Sequence, residues 1–254
     1  YKSLSYALNI PDSEISYEHS SPRGYIQVVS SDHLRHSPGL SLTYVHPLPT
    51  YDVMYINGEW LGPIFTTAEK NNDHWLENSI FQLPYHLKTP QSVLALNAGT
   101  GKDVLLALLN NTESIVAVEG MINAHRVLDQ YSEEHQPHVF QHSDVQTHYI
   151  EPRSFMMRDT DKYDIISLPT LDAFGGTGGL YAVQEQYLLT VESFGEMWNR
   201  LSDDGVIMFS SWIDYPFRSP YKLLTTIAEM LEEKGISAYE EHIVGIKNWG
   251  TILF

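Results

Sequence analysis

The stretch Val93-Leu94-Ala95-Leu96-Asn97-Ala98-Gly99-Thr100-Gly101 constrains this chain more than any other. A short apolar run that breaks into small residues and then a helical pattern reads as a buried strand, a tight loop and a helix N-terminus. Backbone N–H groups at such an N-terminus have no helical partner, so they suit a polar or anionic ligand group. A second apolar strand, Ile115-Val116-Ala117-Val118, ends in Glu119, about 20 residues past the loop. A carboxylate at that strand tip is placed to accept hydrogen bonds from the hydroxyls of a nucleotide ribose. Loop and acid together read as a site for an adenosine-containing cofactor. The alternatives are glycines kept for close helix–strand packing and Glu119 as a solvated strand end.

From Ser92 onward strand and helix patterns alternate. Strands are predicted over 93–97, 115–118, 138–141, 163–168 and 205–210, and helices over 102–110, 121–132, 184–201 and 219–234. Closing strands are predicted near 236–246 and 249–254. Such alternation builds an α/β fold with a mostly parallel sheet and helices on both faces. Residues 1–90 read differently, being rich in Pro, Tyr, His and Ser with short alternating runs. Strands are predicted at 24–29, 40–45 and 53–56, and Asn57-Gly58 marks a hairpin turn into Glu59-Trp60-Leu61. Residues 72–83 read as a helix ending before Pro84. The expected organisation is a small antiparallel β unit with a connecting helix over 1–90, then a Rossmann-like core over 91–254. Because the chain starts at Tyr1 and stops within an apparent strand at Phe254, a longer parent chain is expected.

Fifteen basic residues against 32 acidic ones give a net charge of −17, which argues against a nucleic-acid grip and against docking on anionic lipid. The same balance suits a cationic substrate such as a polyamine, or simply a soluble surface kept apart by charge. With no cysteine, disulfides, thiolate metal sites and cysteine nucleophiles are excluded, and a reducing, cytoplasmic setting is the expectation. His135, His138 and His142 lie near Glu133 and Glu134, but across a helix end, a Pro137 turn and a predicted strand. Their side chains need not converge, so no metal site is expected.

The order of these pieces resembles the class I methyltransferase fold, and within it the spermidine synthase family. The opening phrase from Ser20 to Val29 is similar to the family's first strand, and the stretch from Tyr163 to Asp172, continuing through Gly175 to Tyr181, to its "YDVIIVDSSDPVGPAxxLY" signature. Glu185-Gln186-Tyr187 and Leu201-Ser202-Asp203-Asp204-Gly205 resemble its "EFY" and "LKPDG" elements. Pro38 to Leu42 and Gly179 to Phe194 are similar to phrases of spermidine synthase-like domains attached to membrane segments, so a membrane-attached parent chain is expected. The resemblance implies S-adenosylmethionine or its decarboxylated form as cosubstrate. Asn97, Ala98, Gly99 and Gly101 fall where the family binds the cofactor's tail, Glu119 where it binds the ribose, and Asp144 with Val145 where it binds the adenine. It also implies a small amine as acceptor and a homo-oligomer formed through the N-terminal β region.

Three positions depart from the family pattern. Pro169 stands where the family has the first Asp of "DSSD", a general base for the attacking amine. Thr100 replaces the loop Asp that holds the aminopropyl amine, and Asn97 replaces the first loop glycine. Aminopropyl transfer displaces a neutral thioether from carbon, so it needs in-line positioning and removal of an ammonium proton rather than an oxyanion hole. Asp172 is the signature acid that remains for this role, with Tyr181 and Tyr187 as candidate hydrogen-bond partners. A methyltransferase acting on a small acceptor and a ligand-binding domain without turnover are the other readings.

Overall fold

Val93, Ala95, Ile115, Ala117 and Ile165 pack into one apolar cluster, while their neighbours Leu94, Leu96, Val116, Val118 and Ile166 pack into another. Successive strand residues point to opposite faces, so these uninterrupted apolar runs are strands buried on both sides. The structure is a computed structural model that describes residues 2–22, 24–71, 74–171, 187–213 and 218–254. A short helix, Ser3–Ala7 (α1), precedes Glu14–Ser21 (β1), Gly24–Ser30 (β2), Val53–Ile56 (β3) and Glu59–Pro63 (β4). These strands form an antiparallel sheet in that order. Asn57 and Gly58 both take positive φ, as a hairpin turn matched to strand twist requires.

Leu83–Leu87 (α2) leads into the core. There Ser92–Leu96 (β5), Lys102–Leu109 (α3), Ser114–Val118 (β6), Ile122–Glu134 (α4), Val145–His148 (β7) and Pro152–Met156 (α5) follow in turn. Tyr163–Leu171 (β8), Val191–Arg200 (α6), Leu201–Trp212 (β9), Ser219–Glu233 (α7), Ile246–Lys247 (β10) and Thr251–Leu253 (β11) complete it. The sheet order is β10-β11-β9-β8-β5-β6-β7, with β5 to β9 parallel and the last two strands antiparallel. One face carries α3, α4 and the N-terminal sheet through Leu105, Leu128, Val28 and Met54. The other carries α6 and α7 through Phe194, Met197, Leu223 and Ile227. This is a Rossmann-like, methyltransferase-type α/β fold with an N-terminal antiparallel sheet. The chain leaves β5 toward β7 and returns to lay β8 on the other flank of β5. A crevice outside the strand tips at such a reversal is where open α/β sheets bind ligands.

Five local expectations are corrected. Residues 138–141 are not a strand: Val139–Gln141 is a 3-10 turn, and the strand of that wing is β7. Val139 and Phe140 are buried because they pack under the glycine loop. The run 40–45 forms only an isolated bridge, Leu40 to Ser79, and Leu42 and Val45 are exposed for want of a partner strand. Instead of a helix stopping at Pro84, Trp75–Asn78 and Ile80–Gln82 are 3-10 turns, and Pro84 sits in the first turn of α2. Proline's missing N–H costs nothing there. The helix expected from 184 begins at Val191, where the Thr190 side chain accepts from Ser193 N–H, after a 3-10 turn over Tyr187–Leu189; 184–186 lie outside the described residues. Within 236–246, Tyr239–Glu241 is a 3-10 turn and β10 starts only at Ile246. β1 went unpredicted because its exposed, Ser- and Glu-bearing edge carries little apolar alternation. Among the described residues, no helix is long and apolar enough to cross a membrane.

Candidate functional site

Beyond the tip of β5 the backbone turns sharply. Asn97 takes φ +49°, a left-handed conformation that asparagine tolerates better than most side chains, and so serves where a glycine would. Gly99 and Gly101 also have positive φ, yet they serve different ends. A Cβ on Gly101 would lie 2.3 Å from Val139 Cγ2, so this glycine lets the loop pack down. Among the described residues, a Cβ on Gly99 would meet nothing nearer than the Asn97 carbonyl at 3.9 Å, so they leave the space above it open.

The loop is tied to β6. Ala98 N–H donates to the Val118 carbonyl at 3.1 Å, and Gly99 N–H to Glu119 Oε2 at 2.8 Å. Met121 N–H donates to Glu119 Oε1 at 2.6 Å. Burial pushes the Glu119 carboxyl up, and the N–H groups of Met121, Gly99 and Gly120 only partly offset this. Three backbone donors leave about one of a carboxylate's roughly four acceptor positions.

Asn97, Ala98, Gly99, Thr100 and Glu119 border a cavity of about 340 Å³, within the range of small-molecule sites. Met121 and Glu151 extend its β6–β7 side, Leu168, Pro169 and Thr170 its β8 side, and Tyr187 to Leu189 complete that flank. The N-terminal unit supplies the opposite wall through Glu59 to Pro63, Phe65 and Trp75. The two units meet closely there, since a Cβ on Gly62 would lie 2.2 Å from Thr100 Oγ1. A larger groove of about 810 Å³ runs across the N-terminal unit, past Asp12, Glu14, Asp32 and Asp52. It includes none of the strand-tip donors, so the smaller cavity is the candidate site.

The structure thus brings Asn97, Ala98, Gly99 and Glu119 together on one wall, with Gly101 behind them as a packing residue. Asp144 and Val145 are elsewhere. They stand at the start of β7, where the Asp144 carbonyl accepts from Ile115 N–H at 3.1 Å. Because β6 and β7 run parallel, that start lies at the opposite sheet edge from Glu119. The Asp144 carboxylate faces Lys70 at 3.8 Å and His142 at 3.6 Å. The acid that follows the other end of β7 is Glu151, which caps α5 by accepting from Ser154 N–H at 2.8 Å. Placing the strand at 138–141 made Asp144 look like its tip; the available signal for Glu151 was an acid directly before Pro152. Lys102 and Asp103, the opening residues of α3, also line the cavity and were not singled out from sequence.

Asp172 and Tyr181 lie outside the described residues, as does the glycine run 175–179. Thr100 and Pro169, neutral residues at the two positions where the resemblance leads one to expect acids, are both on the cavity wall. Tyr187 is there too, half-exposed. The three histidines go separate ways: His135 stacks on Tyr131, His138 Nε2 pairs with Asp129 Oδ1 at 2.9 Å, and His142 turns to Asp144. Among the described residues no metal-ligating set of three side chains converges.

No protein-family model matches the chain, and no curated protein matches it by sequence. By structure it is similar to a probable spermidine synthase from Corynebacterium glutamicum, with a TM-score of 0.60 and 13% identity over 94% of this chain and 79% of that one. A spermidine synthase from Thermotoga maritima gives a weaker likeness, with a TM-score of 0.48 and 15% identity over 94% of this chain and 72% of that one. At such identities the likeness establishes the fold.

Proposed function

We propose that this chain is a transferase that binds an S-adenosyl cosubstrate at Asn97 to Gly101 and Glu119. The observation that carries the reading is the Glu119 carboxylate joined to the glycine loop on the wall of the cavity. The open space above Gly99 fits the close approach of a ligand to backbone, which a side chain there would block. Such a cosubstrate supplies an electrophilic carbon on a sulfonium. Glu119 would accept from its ribose hydroxyls, and Glu151 offers a second acid on the same side. β4, pressed against Thr100, lines the opposite wall of the cavity.

For the transferred group, the family resemblance supports aminopropyl transfer from decarboxylated S-adenosylmethionine to a di- or polyamine. That chemistry asks for an acid to orient the amine and take its proton. With Thr100 and Pro169 on the wall, it would rest on Asp172, which lies outside the described residues, with Tyr181 and Tyr187 as candidate hydrogen-bond partners. The neutrality of those same two positions favours a second reading, methyl transfer from S-adenosylmethionine to a small acceptor.

Calorimetric titration with methylthioadenosine tests the shared core of both readings. The intact chain is expected to bind, and Glu119→Ala to weaken binding by about 1–3 kcal/mol through unmatched polar partners. Unchanged affinity would remove Glu119 from the site. Turnover assays with putrescine and decarboxylated cosubstrate then decide whether the transferred group is aminopropyl.

A further inference from the structure

Lys102 and Asp103 open α3 directly after the glycine loop, and both line the cavity. Asp103 is 4% exposed. The two form an ion pair at 3.2 Å, and among the described residues neither Lys102 Nζ nor Asp103 Oδ1 has a hydrogen-bond partner beyond that contact. The ammonium instead rests 3.7 Å from the centre of the Phe81 ring. A buried charge pair with unused hydrogen-bonding capacity is costly, and a ligand of matching charge relieves that cost. The remaining acids on the wall are Glu59, Glu119 and Glu151, and Lys102 is the one cation among the described lining residues. Glu119 is already engaged by the loop and Glu151 by the start of α5. The neutral Thr100 leaves Lys102 and Asp103 as the charged pair nearest the loop in sequence.

Resting on the S-adenosyl reading above, we propose that Lys102 and Asp103 form a subsite for a zwitterionic α-amino acid group. Lys102 takes the carboxylate and Asp103 the ammonium, so the cavity prefers S-adenosylmethionine to its decarboxylated form, which favours methyl transfer over aminopropyl transfer. A tail carrying only an amine brings no anion to Lys102 and sets a second cation beside it. Charge-assisted contacts of this kind are the strong ones, and losing one changes affinity by about 10- to 100-fold.

The test is titration of the intact chain with three probes: methylthioadenosine, which lacks the amino acid tail, S-adenosylmethionine and decarboxylated S-adenosylmethionine. S-adenosylmethionine should bind at least about tenfold more tightly than the decarboxylated form. Lys102→Met should erase that preference while leaving methylthioadenosine affinity within about twofold, and Lys102→Arg should retain it. Equal or tighter binding of the decarboxylated probe by the unaltered chain overturns the subsite, even if the Met variant fails to fold. So does a Met variant that weakens methylthioadenosine as much as S-adenosylmethionine, since its role is then structural. Binding of none of the three overturns the S-adenosyl reading itself, a result separate from a lost preference.

Discussion

The two edges of the parallel sheet treat acids in opposite ways. At the N-terminal edge, Asp164 at the start of β8 pairs with Lys88 at 2.8 Å and accepts from the Ser202 hydroxyl at 2.8 Å. It also takes the N–H groups of Gln91 at 2.8 Å and Ser92 at 3.2 Å, while Lys88 reaches on to Asp204. Burial pushes this carboxyl up, but Lys88, Ser202 and the two N–H groups together outweigh it and hold the group well below the usual range. At the C-terminal edge burial wins: Glu119 and Asp103 are both pushed up despite their partners. An acid saturated with donors fastens strands together. An acid left under-compensated keeps capacity for a ligand, and here such acids gather at the strand tips where the chain reverses.

The harshest way to break this comparison is Gly101→Ala. A Cβ there meets Val139 at 2.3 Å on a backbone with φ +100°, so both overpacking and left-handed strain apply. A loss of about 3 kcal/mol in chemical denaturation is expected. A neutral outcome would mean that the loop yields freely and that its glycines are not divided between packing and ligand. Next is Asp164→Asn, expected to cost about 2 kcal/mol by leaving Lys88 under-compensated. The sign with pH follows from the depressed carboxyl. The folded group lies below its ordinary 3.8, so its contribution is whole above that value and is lost as pH falls through the folded one. The unaltered chain should therefore lose stability more steeply in acid than the Asn variant, and parallel curves would show that Asp164 is no clasp.

Gly99→Ala sharpens the contrast at smaller cost. Its Cβ enters open space, so only backbone strain of about 1 kcal/mol should appear in denaturation, while methylthioadenosine binding should fall sharply. A large stability loss with intact binding would reverse the roles assigned to the two glycines.

Much of this was legible in sequence because two signals are local. The alternation of apolar runs with helical patterns forecast the parallel core, since a strand buried on both faces must be apolar throughout. That the loop meets Glu119 is legible because strand, turn and acid are close in the chain. The rest depends on distant contacts. Val139 and Phe140 look like a strand until the glycine loop above them is known. Lys102 and Asp103 look like an ordinary solvated first turn, yet Asp103 is buried beside Tyr85 and the Lys102 ammonium rests on the Phe81 ring. Asn97 stands where the resemblance leads one to expect a glycine, and its left-handed backbone lets it do similar work.

The smallest expected effect separates the edges most cleanly. Asp144 lies at the N-terminal start of β7, its side chain 38% exposed beside Lys70 and His142. Exposed pairs of this kind contribute little, so Asp144→Ala should change stability by under about 1 kcal/mol. Because the cavity is at the other end of the strand, methylthioadenosine affinity should stay within about twofold. Glu151→Ala, at the tip of the same wing, should weaken that ligand by about 1 kcal/mol if it holds a polar group of the nucleoside. The pair is informative because both acids flank one four-residue strand, β7, and differ mainly in which end they occupy. A tenfold loss from Asp144→Ala with none from Glu151→Ala would move the adenine to the N-terminal edge, and the division of labour between the two edges would fall with it.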